Sequence, residues 1–184
     1  MNLITKTSAL AALAALAIAS PASAATSATG SSSVTGAPTG QLEATFPSAY
    51  SFGAWALGAG GNISSEQIVN VKSNRSWGVK LSSDEATGLM RRWNGTAYVT
   101  TPNDRTLANA TQWGATSFDG GALTPTYANL SSTQALILGS KPKTGDAGNN
   151  VGLKYKQVVS YADDADIASD VYRILVSFDA SQGF

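Results

Sequence analysis

Cysteine and histidine are both absent from the 184 residues. Without cysteine there is no disulfide, no thiolate nucleophile and no cysteine-ligated metal. Without histidine there is no imidazole to serve as general base, triad member or metal ligand. Charge is scarce too: 13% of residues are Asp, Glu, Lys or Arg, with twelve of each sign. A near-neutral surface argues against nucleic acid and anionic lipid as partners. Neither a G-x-S-x-G elbow nor a P-loop is present, and Gly58-Ala59-Gly60-Gly61 lacks the Lys-Ser/Thr that a phosphate cradle needs. A glycosidase would need two carboxylates across a cleft, and nothing in the spacing singles out a pair such as Glu66 with Asp164. The chain is therefore expected not to be an enzyme.

Long apolar runs are missing, apart from one near the N-terminus. Lys6 precedes the apolar stretch Ala9 to Ala19, and Ala22-Ser23-Ala24 supplies the small residues of an export cleavage site. This reads as a secretory signal peptide over residues 1–24, too short to span a bilayer. No later stretch is long or apolar enough for a membrane span. Loss of Lys6 with the leader leaves eleven basic side chains against twelve acidic ones. Residues 25–40 are a low-complexity run of Ala, Ser, Thr and Gly that lacks the apolar side chains needed to offset ordering entropy. It reads as a flexible linker, acting either as a spacer or simply as a loose mature terminus. Residues 41–184 suit one domain, stabilised by packing and strand pairing. The expected location is secreted, extracellular or at the cell surface, with the periplasm as an alternative.

What is present is mostly period-two alternation, the mark of strands with one buried face. Val69, Val71 and Ser73 share a side, as do Trp77, Val79 and Leu81, with a bend at Asn74-Arg75. Leu42, Ala44 and Phe46 alternate, and so do Tyr50, Phe52 and Ala54. Gln134 to Gly139 reads as a short strand. The last third predicts a closing hairpin. Val151, Leu153, Tyr155, Val159 and Tyr161 face inward from one strand, and Tyr172, Ile174, Val176 and Phe178 from the other. Ser82-Ser83-Asp84-Glu85 has capping-box spacing, which predicts a helical turn from Ser83 to Gly88. Asn94-Gly95 between strand formers predicts a two-residue type I′ hairpin pairing Trp93 with Thr96 and Arg91 with Tyr98. Thr101 to Thr133 reads as long loops with at most one short strand. About nine strands and no βαβ rhythm predict an all-β fold: an antiparallel, immunoglobulin-like β-sandwich with Greek-key connections.

The order of an aromatic strand from Tyr50 to Trp55, a strand from Ile68 through Val71 to Ser73-Asn74, then Trp77-x-Val79-x-Leu81, a late short strand and Tyr172-x-Ile174-x-Val176-x-Phe178 resembles secreted bacterial surface β-sandwiches. It is loosely similar to WxL-type cell-surface domains, with Trp77-Gly78-Val79 where that family has Trp-x-Leu. The resemblance implies a surface β-sandwich.

Two groups of residues are candidate sites. Arg91, Arg92, Trp93 and Tyr98, with Trp55 and Trp113, have the aromatic and guanidinium groups of a sugar-binding platform; the alternative is that they are cross-strand pairs or core. Asp163, Asp164, Asp166 and Asp170 place four carboxylates in eight residues, enough oxygen to contribute to a Ca²⁺ site, or simply a solvated loop. No other cofactor is expected. Asn62, Asn94, Asn109 and Asn129 begin glycosylation sequons, a weak signal in so Asn-, Ser- and Thr-rich a chain. The functional expectation is a non-catalytic structural or adhesion protein whose partners are cell-envelope or matrix components, itself, or polysaccharide. A carbohydrate-binding module and a fibre or pilus-type subunit assembled by strand exchange are the alternatives.

Overall fold

The inward-facing sets of the sequence meet in one core. Val69 and Val71, Val151, Leu153 and Tyr155 come from one sheet, and Trp77, Val79, Leu81 and Ile137 from another. Burial of each such side chain contributes about 1.5–3 kcal/mol. The computed structural model describes residues 33–58, 60–165 and 169–183. The expected leader, the first half of the linker and Asp166 lie outside these residues. The compact unit that holds the core begins at Pro38, and its first tie is the Thr39 carbonyl, which accepts a hydrogen bond from Asn74 Nδ2 at 2.6 Å.

The described residues form twelve strands and no helix. In chain order these are β1 Leu42–Thr45, β2 Asn62–Ile63, β3 Gln67–Ser73, β4 Trp77–Ser83, β5 Arg91–Trp93 and β6 Gln112–Phe118. There follow β7 Gly121–Ala122, β8 Ala128–Asn129, β9 Ala135–Lys141, β10 Asn149–Gln157, β11 Val171–Arg173 and β12 Val176–Gln182. The larger sheet runs β1-β3-β10-β6-β7, with β2 beside β10 and β8 beside β6. The second runs β12-β4-β9, and β11 pairs with β5 alone. Every ladder is antiparallel. Two antiparallel sheets across one core are a sandwich arrangement.

Consecutive strands β3 and β4 lie in different sheets. The bend between them is held by Ser73, whose Oγ donates to the Arg75 carbonyl at 2.9 Å and accepts from the Arg75 amide at 3.2 Å.

Several expectations are corrected. The closing hairpin does not exist: β10 pairs with β2, β3 and β6, whereas β12 pairs with β4 through Val176↔Ser83 and Phe178↔Leu81. Alternation identifies a buried face but not the neighbouring strand. The second run is also broken, because Ile174 and Leu175 separate β11 from β12. Tyr161 lies past the end of β10 and is 93% exposed. Tyr50 to Ala54 is not a strand but part of an irregular strap. Ser83 Oγ donates to the Glu85 carbonyl instead of capping a helix, and the segment makes only a turn. At Asn94-Gly95 the loop is longer by two residues, since Trp93 bridges Tyr98 and the Asn94 Oδ1 accepts from the Thr96 and Ala97 amides. The two-residue turn lies instead at Asp119-Gly120, with φ of 47° and 81°, between paired Phe118 and Gly121. Those positive angles are what a type I′ turn demands. Thr101 to Thr133 contains β6, a seven-residue interior strand.

Candidate functional site

Both candidate groups come to one end of the sandwich. There β6 begins beside the last residues of β10, and β12 begins beside the end of β4. The small β5–β11 sheet, the loop after β10 and the strap between β1 and β2 gather at this end around a cavity of about 790 Å³.

The arginine and aromatic group is packed against itself. Trp93 and Tyr98 meet edge to face, with ring centroids 5.1 Å apart. The Arg173 guanidinium lies 4.1 Å from the Trp93 ring centroid, and that of Arg91 4.9 Å from Tyr98. These contacts follow from pairing, since Arg91 stands opposite Arg173 and Trp93 opposite Val171. Arg91 also bonds Glu85 at 3.0 Å. Arg92 Nε donates to Asp170 Oδ2 at 2.7 Å, the best-buried ion pair described, with side chains 18% and 15% exposed. The Tyr98 hydroxyl donates to Asp84 Oδ2 at 2.6 Å. Burial, with the bond to Asp84 and its charge behind it, pushes the Tyr98 phenol up to about 12. Trp113 is 7% exposed and belongs to the core, and Trp55 stacks on Tyr172 with centroids 6.1 Å apart. The aromatics named as a platform therefore do not share one surface.

The acidic loop is similarly drawn inward. Asp163 accepts hydrogen bonds from the Ala108 amide at 2.6 Å and the Ser160 amide at 2.8 Å. Asp164 pairs with Arg105 at 2.9 Å, and its carbonyl accepts from the Tyr172 hydroxyl at 2.7 Å. Asp170 turns to Arg92. Burial, together with the charges of Asp164 and Asp163, raises the Tyr172 pKa. Asp166 lies outside the described residues. Among those described, no three of His, Cys, Asp or Glu are grouped to hold a metal ion. The three described aspartates each stabilise the fold through a different donor. Glu66, the carboxylate weighed against Asp164, takes hydrogen bonds from Thr116 at 2.5 Å and Ser117 at 2.9 Å. These hold its pKa below the usual glutamate value.

The cavity itself was not legible. Met90, Leu107 and Leu130 line it from irregular segments, Tyr155 from β10, and Thr111 and Val159 from just beyond the strand ends. The strap covers it with Phe52 and Trp55, and Phe46 stacks on Phe178 at 5.6 Å. From Phe46 to Trp55 the strap makes no main-chain hydrogen bond to any other described segment; the Gly53 amide donates within the strap, to Ser51 Oγ. Isolated Leu and Met residues without a period carry no positional information, so of the lining only residues in alternating runs, such as Tyr155, Val159, Val176 and Phe178, could be placed inward from sequence.

Among the described residues no helix is long and apolar enough to cross a membrane. No family model, no curated protein and no solved structure matches this chain.

Proposed function

We propose that the protein is a non-catalytic exported β-sandwich that serves a structural or adhesive role at the cell surface or in the extracellular matrix. One observation carries this reading. The charged side chains at the loop end are committed to each other and to backbone groups, through Arg92–Asp170, Arg105–Asp164 and the amides bound by Asp163. The opening they leave is apolar, which suits holding a partner rather than acid–base chemistry. The proposal includes the finer topology, an immunoglobulin-like sandwich with Greek-key crossovers, supported by the sheet change between β3 and β4. Expression with the native leader in a bacterial host tests the location. The mature protein should begin at Ala25 and be accessible to labelling on intact cells. Cytosolic protein retaining Met1 rejects the reading.

Assembly by strand exchange is the second reading, and the strap favours it. A segment with no main-chain ties to its surroundings can be displaced by a neighbour's strand at low cost. Solution mass by light scattering decides: mass rising with concentration supports exchange, and a monomer throughout removes it.

A further inference from the structure

A volume of about 790 Å³ falls within the roughly 300–1,000 Å³ typical of small-molecule pockets. The walls are apolar and partly aromatic: Phe52 and Trp55 from the strap, Leu107 and Leu130 from the loops, Phe178 from β12. Flat aromatic faces at several angles suit a ring better than a flexible chain. The charged groups of the lining, and Thr111, are engaged. The Thr111 hydroxyl donates to Gln157, Asp163 accepts from two amides, Asp164 pairs with Arg105, and Arg173 lies over Trp93. A charged ligand would lose its hydration there and find its counter-charges already taken.

Two donors of the lining are not engaged. Trp55 Nε1, on the strap, is buried without a hydrogen-bond partner among the described residues. Tyr155 is 9% exposed, and no hydrogen bond is made by its hydroxyl among the described residues. A buried phenol usually finds a partner. It reaches this lining from β10, a regular strand with fixed register. We propose that the cavity is a binding site for an uncharged, ring-containing ligand whose single carbonyl or hydroxyl oxygen accepts a hydrogen bond from Tyr155. The strap is the entry, because no main-chain bond holds it from Phe46 to Trp55. This site is independent of where the protein resides and of whether it assembles.

Equilibrium dialysis with three naphthalenes tests the assignment. Acetylnaphthalene carries the oxygen, ethylnaphthalene lacks it, and naphthoate adds a charge. Acetylnaphthalene should bind one per chain, about five- to tenfold tighter than ethylnaphthalene, as one hydrogen bond allows. Naphthoate should bind more weakly than either. Tyr155→Phe should erase the preference for the ketone while leaving ethylnaphthalene affinity unchanged. Leu175→Trp, at a half-exposed position of the lining, should fill the cavity and abolish binding of both. Ala49→Trp from the strap side provides an independent block if Leu175→Trp does not fold. The proposal is overturned by failure of the folded wild type to bind acetylnaphthalene. Undiminished binding in a folded filling variant, a ketone preference that survives Tyr155→Phe, or tighter binding of naphthoate would also overturn it.

Discussion

Thr111 and Gln157 are both buried, and Thr111 Oγ1 donates to Gln157 Oε1 at 2.7 Å. The Gln157 amide nitrogen donates to the carbonyls of Asn109 at 2.9 Å and Val158 at 3.0 Å. Removing one member of such a set leaves a buried acceptor without a donor, which costs about 1–3 kcal/mol. Thr111→Val should therefore destabilise by that amount, whereas Thr111→Ser keeps the donor and loses one methyl, about 0.8 kcal/mol. Denaturant unfolding ranks the two, and a valine variant as stable as the serine one would show that the bond contributes nothing. Tyr98 gives a prediction in pH. Its pKa in the folded chain is raised to about 12 from 10.0, so the protonated phenol favours the fold. That contribution is complete below pH 10, the unfolded value, and is lost as pH rises from 10 to 12. The raised pKa values of Tyr155 and Tyr172 act in the same direction. Tyr98→Phe should flatten the alkaline fall in melting temperature, and an unchanged slope would exclude Tyr98 as its source. Neither Thr111 nor Gln157 could be singled out from sequence, because a polar residue at an inward position announces no partner.

Strands with branched or large apolar residues at alternate positions were legible: Val69 and Val71 in β3, Val79 and Leu81 in β4, Val151 and Leu153 in β10. Strand β6 was not. Of its alternate residues only Trp113 is large, followed by Ala115 and Ser117. On the other face, Gly114 has a packing reason. A side chain at Gly114 would press on Pro125, 3.1 Å from its first carbon, and on the Thr126 carbonyl at 3.2 Å. Partner choice was equally hidden, since it depends on which faces close the core. The site was legible only as a set of residue types: the arginines and aspartates do gather at one end, but they neutralise each other there. The ion pairs that tie elements together differ in worth by their surroundings. Arg92–Asp170 joins β5 to the segment entering β11 at 2.7 Å and is well covered, whereas Lys72–Glu43 spans β3 and β1 at 4.0 Å with side chains 48% and 80% exposed. Asp170→Asn should cost about 1–3 kcal/mol as a charged hydrogen bond is weakened. Glu43→Gln should cost about 0–1 kcal/mol. Chemical denaturation of both variants checks the order, and equal losses would remove Arg92–Asp170 as a strut of the loop end.

Across the whole molecule, pairing joins segments far apart in the chain. β10 lies between β3 and β6, and β12 returns to β4 through Gln182↔Trp77. Such topologies must close long loops before contacts reward them, so refolding on the scale of milliseconds to seconds is expected in stopped-flow experiments. Completion in microseconds would contradict the strand order. The strap from Phe46 to Trp55 contributes no rung to any ladder, and Gly53 within it has φ of +69° with open space around it. On either side the chain is anchored, by β1 against β3 and by the Gly58 amide on the Val159 carbonyl at 3.0 Å. The backbone can therefore be severed here without unzipping a sheet. Brief chymotrypsin treatment should cleave after Tyr50 or Phe52, and the two pieces should co-elute as one folded particle. The same gap marks a place for new chain ends, so a circular permutant opened at Gly53 should reach the same fold as the parent.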